Sequence, residues 1–292
     1  MIILEKAPFL EKILVLADGS PLSNLAMDTS VRMVKKTDAK VTVLHVIPDR
    51  ALYSGFYPEN IPYDVITKIL DGLEEKGKKI ISEAQELFKK EGIDVEARII
   101  RGPDPAEVAL EYSRQEFDII IVGARGEDEK DPRMLGSITR KVVMNATVPT
   151  LIIKKECPLE RILVCVDGSE HSIVALDYIS KLAQEMGSKI SIINVEERKL
   201  YDMSPKTAVE GGQLVITHAL SRIGKPDLPV DKRVEFGVTP DVLVEVAEKE
   251  NIDLIVMGSR GLGTVRRFLL GSVSDDVSQK ARTSVLIVPW RK

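Results

Sequence analysis

The sequence predicts two α/β domains in tandem, each a doubly wound parallel sheet. Three observations predict it: an internal repeat over nearly the whole chain, short β-branched runs alternating with amphipathic stretches, and a glycine pattern that occurs once in each copy. Lys12-Ile13-Leu14-Val15-Leu16-Ala17-Asp18-Gly19-Ser20 matches Arg161-Ile162-Leu163-Val164-Cys165-Val166-Asp167-Gly168-Ser169, and Val41–Val46 matches Ile190–Val195, both at an offset of 149. From Gly102 and Gly237 onward the offset is 135, through Pro105 and Pro240, Gly123 and Gly258, and Gly136 and Gly271. Such self-similarity decides the architecture before any local reading. It divides the 292 residues into two units, expected at 1–155 and 160–292, each long enough to bury its own core.

In the first copy, strands are expected near 12–18, 40–47, 94–101, 118–123 and 149–153, with helices near 21–37, 64–91, 104–116 and 136–146. The strands are nearly continuous apolar runs, the mark of parallel strands buried on both faces by helices. Ser20 before Pro21 reads as an N-cap followed by proline in the first turn, Asp104-Pro105 repeats the signal, and Ser169 is the equivalent cap in the second copy. The second copy places strands near 161–167, 189–195, 230–236, 253–258 and 284–288. Between the copies, Lys154–Glu160 is short and charged, as suits a tether between domains packed side by side. The first copy carries 14 extra residues within Ile47–Tyr63, where Tyr53, Phe56, Tyr57 and Tyr63 stand among Gly55, Pro58 and Pro62. That density of turn formers predicts an ordered loop, either a docking surface or a loop pinned to its own domain by its rings.

Composition narrows the function classes. A hydrophobic content of 44%, a charged content of 29% and a net charge of -4 describe a globular protein. Mild acidity argues against non-specific nucleic-acid binding. No apolar run reaches the ~18 residues that span a bilayer, and Met1–Lys6 lacks the basic head and apolar centre of a signal peptide, so a cytoplasmic location is expected. Cys157 and Cys165 are the only cysteines, one in the tether and one in a strand, and are expected as reduced thiols.

The distinctive stretch is Gly258-Ser259-Arg260-Gly261, nine residues, then Gly271-Ser272, matched by Gly123-Ala124-Arg125-Gly126, nine residues, then Gly136-Ser137. Two glycines three apart allow a tight turn behind a strand. A Gly-Ser at a helix start then offers N–H donors and a hydroxyl to an anion. Open parallel sheets bind ligands beyond the carboxyl ends of their strands, where strand order reverses. In a flavodoxin-like order that crevice lies between the first strand, ended by Asp18 or Asp167, and the fourth, ended by the glycine turn. A carboxylate for ribose or base beside a phosphate cradle is the chemistry of a nucleotide. No general base with a matched nucleophile is visible, and the residues after Gly271-Ser272 are Val273 and Ser274 rather than the lysine of a Walker loop. Turnover is therefore expected to be slow or absent. His45 is expected as a hydrogen-bonded core residue rather than a base.

On these motifs both halves resemble universal stress protein domains, and the chain as a whole resembles a tandem universal stress protein. The resemblance implies flavodoxin-like sheets of order 3-2-1-4-5, paired through their last strands, Leu151-Ile152-Ile153 and Val285-Leu286-Ile287, so that one chain forms an intramolecular pseudo-dimer. It also implies ATP binding, a property of one subgroup of the family, and acids near the phosphates would recruit Mg²⁺ to it. In the second half the adenosine would meet Asp167 and the backbone of Val195, and the phosphates Gly258, Gly261, Gly271, Ser272 and Val273. The matching first-half positions are Asp18, Val46, Gly123, Gly126, Gly136, Ser137 and Ile138. Between the glycines the second copy has Arg266 and Arg267 and no acid, whereas the first has Glu127, Asp128, Glu129 and Asp131 against Lys130 and Arg133, a difference of four charges. At about 1 kcal/mol per partly exposed charge pair, the second half is expected to be the better ATP site. The function expected is a nucleotide-binding regulatory module of the stress response with a protein partner and further self-association open. The alternatives are a scaffold with vestigial sites or a slow ATP hydrolase.

Overall fold

The computed structural model describes residues 9–49, 63–115, 117–126, 134–223, 229–261 and 270–290. Most of the aromatic insertion, and the charged segments between the glycines of each copy, lie outside the described residues. The first half runs β1 (Lys12–Leu16), α1 (Pro21–Thr37), β2 (Lys40–Pro48), α2 (Tyr63–Lys90), β3 (Val95–Gly102), α3 (Pro105–Ser113), β4 (Ile119–Gly123), α4 (Ser137–Asn145) and β5 (Thr150–Ile153). The second runs β6 (Arg161–Cys165), α5 (Glu170–Met186), β7 (Lys189–Glu196), α6 (Arg198–Met203), α7 (Pro205–Arg222), β8 (Val230–Phe236), α8 (Thr239–Lys249), β9 (Leu254–Gly258), α9 (Ser272–Lys280) and β10 (Ser284–Val288).

Helix starts follow their local chemistry. The Ser20 and Ser169 hydroxyls accept from the N–H groups of Ser23 and Ser172, and the Asp104 carboxylate accepts from Ala106 and Glu107. Each cap satisfies a donor that the first turn leaves without a helical partner, worth about 1 kcal/mol. At the far ends of the paired helices, Asp38 and Gly187 take the left-handed conformation that stops a helix.

Ten strands form one sheet in the order β3-β2-β1-β4-β5-β10-β9-β6-β7-β8. Each half therefore has the order 3-2-1-4-5, parallel throughout. The halves join antiparallel, Ile152 against Val285, Leu151 against Leu286 and Thr150 against Ile287. The pairing begins one residue earlier in the first half than the sequence suggests. Leu151 and Leu286 are both fully buried, and one core continues across the seam through Ile119, Leu151, Ile162, Val164 and Leu286. Each such side chain contributes about 1.5–3 kcal/mol by leaving water, so the halves share their stability rather than merely touch. Further contacts cross the seam: Tyr178 donates to the Asp118 carbonyl at 3.5 Å and Arg140 reaches Asp275 at 3.2 Å.

The segment joining the halves is more than a tether. Cys157 and Leu159 within it are each 1% exposed, and Leu159 holds a positive φ of 62°. Lys155, Glu156 and Glu160 stay at the surface while the apolar residues of the segment complete the core. Both cysteines are free, and burial pushes each thiol up to about 12. No described helix is long and apolar enough to cross a membrane.

Candidate functional site

In each half the first strand stops just before an aspartate that folds back on its own turn. Asp18 Oδ1 accepts from the Ser20 N–H at 2.9 Å, and Asp167 Oδ1 from the Ser169 N–H at 3.0 Å and its hydroxyl at 2.6 Å. One carboxylate oxygen is thus spent on the local turn. The other faces the glycine loop: a Cβ on Gly126 would lie 2.8 Å from Asp18 Oδ2, and one on Gly261 2.5 Å from Asp167 Oδ2. Glycine lets the loop backbone pass directly over this carboxylate; a side chain there would force the aspartate to turn aside.

Gly123 and Gly258, the last residues of β4 and β9, are needed for a different reason. A Cβ there would meet the backbone of the neighbouring helix start, 3.0 Å from the Ser23 nitrogen in the first half and 2.5 Å from the His171 carbonyl carbon in the second. Beyond them the chain returns to its starting point. The Gly136 N–H donates to the Ala124 carbonyl at 2.8 Å and the Gly271 N–H to the Ser259 carbonyl at 2.7 Å. This closes the loop and sets the N-terminus of α4 or α9 beside the strand end. Neither helix receives a side-chain cap, since Gly136 and Gly271 occupy the cap positions. An uncapped helix start carries N–H donors and the positive end of the helix dipole, the arrangement that binds phosphate.

All seven first-half candidates, Asp18, Val46, Gly123, Gly126, Gly136, Ser137 and Ile138, line one cavity of 380 Å³. All seven of the second half, Asp167, Val195, Gly258, Gly261, Gly271, Ser272 and Val273, line another of 630 Å³. Both volumes fall within the ~300–1,000 Å³ of small-molecule sites.

The cavities differ in their charged walls. Lys76, from α2, reaches the first; its counterpart in the repeat is Gly211. Arg125 lines the first and Arg260 the second, where Asp275 adds an acid. Arg260 Nε is buried and has no hydrogen-bond partner among the described residues. Burial, with Arg260 nearby, lowers the His171 pKa from its usual value, and Asp167 opposes that shift. His171 Nδ1 lies 3.2 Å from Ser259 Oγ, and its ring is 5.5 Å from that of Trp290. No cluster of three or more acidic, histidine or cysteine side chains able to hold a metal is found among the described residues.

Three supporting pairs, and Asn194 as the counterpart of the expected hydrogen-bonded core residue His45, escaped the sequence reading. Asp118 Oδ2 accepts from the N–H groups of Glu11 and Lys12, as Asp253 Oδ2 does from Glu160 and Arg161. Ser23 and Ser172 accept from the N–H of the site aspartates. Thr139 and Ser274 donate to the carbonyls of Gly123 and Gly258 at 2.7 and 2.8 Å, tying the cradle helix to the strand. His45 Nδ1 and Asn194 Nδ2 meet the carbonyls of Ala17 and Val166. The signal that could have found them is in the repeat itself, since each pair keeps its polar character at the same offset.

Comparison with known proteins accords with the fold and its repeat. The family model described as the universal stress protein family matches twice, over residues 10–154 and 158–289. A universal stress protein of Mycolicibacterium smegmatis is 27% identical over 94% of this chain and 96% of its own. One from Bacillus subtilis is 31% identical over 49% of this chain and 98% of its own, the length of a single repeat. Among solved structures, a universal stress protein from Archaeoglobus fulgidus superposes over 97% of this chain and 99% of its own with a TM-score of 0.70 at 23% identity, a likeness of fold. The chain belongs to the universal stress protein family, as two copies of its domain in tandem.

Proposed function

We propose that the protein is a cytoplasmic regulatory module of the stress response that binds ATP, with or without Mg²⁺, in both crevices, the second more tightly. The observation that carries the reading is the convergence of a strand-end carboxylate, a glycine turn and an uncapped helix start on one cavity in each half. Asp167 and Asp18 would receive the ribose or base, Val195 and Val46 the adenine through their backbone. The phosphates would lie against Gly258, Gly261, Gly271, Ser272 and Val273, and against Gly123, Gly126, Gly136, Ser137 and Ile138. The residues fit the ligand: the cavities are large enough, and close approach of a phosphate to backbone N–H groups needs glycine where glycine stands.

The ranking of the halves rests on cavity size and charge. Lys76 favours the first cavity and Asp275 disfavours the second, which reduces the four-charge advantage of the second half to two. A difference of two charges still favours phosphate in the second cavity.

Calorimetric titration of the full chain with ATP, with and without Mg²⁺, tests the reading. Two phases are expected, the tighter one lost in Gly261→Ala and the weaker in Gly126→Ala. Loss of the tighter phase in Gly126→Ala would reverse the ranking, and absence of binding heat under both conditions would overturn nucleotide binding itself.

A further inference from the structure

The pseudo-twofold relation between the halves passes between Leu151 and Leu286, equivalent in the repeat and opposite one another in the antiparallel pair. It creates two seams, each bounded by the end of the last helix of one half and the tail of the last strand of the other. The helix ends have the same backbone: Ala146 closes α4, and Ala281 closes α9, with φ -64° and ψ 138°. What fills the seams is different.

Lys154, just after β5, closes the seam against α9. Its backbone N–H donates to Ser284 Oγ at 3.2 Å, and its Nζ to the carbonyls of Gln279 at 3.2 Å and Ala281 at 2.6 Å. The last turn of a helix carries carbonyls without helical partners and the negative end of the dipole, so an ammonium group is their complement. In the other seam the position of Lys154 is held by Pro289, which has neither ammonium nor N–H, and that of Ser284 by Pro149. The equivalent helix end, Met144 to Ala146, instead lines a cavity of 450 Å³ shared with His171, Arg260 and Trp290.

We propose that this seam binds a small organic ammonium ion, whose charged group occupies the place that Lys154 Nζ holds in the other seam and donates to the carbonyls of Met144 and Ala146. The hydrocarbon part would lie along Trp290, which is 39% exposed. Arg260 on the cavity wall does not exclude a cation. Arg125 acts electrostatically on Lys154 in the other seam, and there the ammonium is accommodated. The inference is independent of nucleotide binding, although Arg260 also lines the second crevice and would feel both ligands.

The chain has one tryptophan, so its fluorescence reports on this seam alone. Full-length protein titrated with n-butylammonium is expected to show a saturable change that tetramethylammonium, which has no N–H to donate, does not produce at the same ionic strength. Pro289→Lys supplies a tethered ammonium and is expected to weaken the response at least tenfold while raising the melting temperature. Pro289→Met, which adds the bulk of that side chain without its ammonium, is expected to leave the melting temperature without this rise. No saturable change with n-butylammonium, an undiminished response in Pro289→Lys, or a response to butyrate in place of the amine would each overturn the proposal, the last by assigning the cavity to an anion on Arg260.

Discussion

The imidazole Nδ1 of His45 lies 2.7 Å from the carbonyl oxygen of Ala17, the residue that precedes Asp18. The second half makes the same contact with different chemistry: Asn194 Nδ2 donates to the Val166 carbonyl at 2.9 Å, just before Asp167. Both side chains come from the second strand of their half and hold the end of the first, so the carboxylate of each crevice stands on a fixed strand end. Both lie under a glycine of the covering helix. A Cβ on Gly77 would be 2.9 Å from His45 Cδ2, and one on Gly212 2.7 Å from Asn194 Oδ1 and 2.5 Å from Val234 Cγ1.

Gly212→Ala should therefore destabilise the protein by about 1–3 kcal/mol, as overpacking does, because β8 and Asn194 are both held in place. The reading is a fall in the urea midpoint. Gly211→Ala, one residue away with open space around it, serves as the control and should be neutral or slightly stabilising, since alanine favours helix. Equal effects at the two positions would remove the close approach from the account.

The glycines of the cradle should separate into two kinds. Gly261→Ala places a methyl group against Asp167 Oδ2, a side-chain atom that can turn aside, at the expense of the ligand. Its expected effect is a tenfold or greater loss of ATP affinity with a small change in stability. Gly258→Ala places the methyl group against the His171 backbone at the start of α5, which cannot move without the helix. It should cost stability first, about 1–3 kcal/mol or more. Calorimetry for the first and chemical denaturation for the second distinguish the roles; the reverse pattern would contradict them.

The repeat made the fold readable. The alternation of strands and helices and the helix caps followed from residues whose local chemistry agrees with their tertiary role, such as Ser20-Pro21 and Asp104-Pro105, whereas the strand order and the central pairing came with the family resemblance. The aspartates and glycines of the candidate set stood out because those residue types at strand ends mark backbone geometry, whereas Val46, Val195, Ile138 and Val273 came only with the family resemblance. Less readable were roles that depend on what comes from elsewhere in the chain. Lys154 reads as a linker charge until the end of α9 is seen to receive it. Lys76 reads as one of many lysines on a helix face until α2 is seen to pass over the first crevice. Charge alone does not reveal which lysine is drawn inward; that needs the packing.

Lys154 makes a pH-dependent prediction. Burial, reinforced by Arg125, lowers its pKa from 10.5 to about 8. Between those values the unfolded chain binds the proton and the native protein does not, so this group makes stability rise with pH from about 8 upward, by up to about 1.4 kcal/mol per unit. The buried thiols act the other way: Cys157 and Cys165 are raised from 9.0 to about 12, so the stability they contribute is lost as pH rises above 9. The window that isolates Lys154 is therefore pH 8 to 9. Denaturation across it should show wild-type stability rising relative to Lys154→Met. Parallel curves would mean that the ammonium is not strained by its burial.

Arg140 and Asp275 occupy equivalent positions in the repeat, yet carry opposite charges and meet across the seam at 3.2 Å. Asp275 lines the second crevice close to the helix start proposed to hold phosphate, and its Oδ1 is buried without a hydrogen bond. An acid there opposes an anionic ligand, and Arg140, reaching over from the first half, offsets it. Since the arginine is 47% and the aspartate 27% exposed, the pair should add no more than about 1 kcal/mol to stability. Its effect should fall on binding. Asp275→Asn is expected to tighten ATP at the second crevice by about two- to fivefold, and Arg140→Ala to weaken it by a similar factor, each change being on the order of 1 kcal/mol or less. With the acid already neutralised, adding Arg140→Ala should have a smaller effect, because the arginine then loses the charge it offsets. Additive effects in the double variant would show that Arg140 acts on the ligand directly; coupled effects would show that one half of the chain tunes the crevice of the other through this single ion pair.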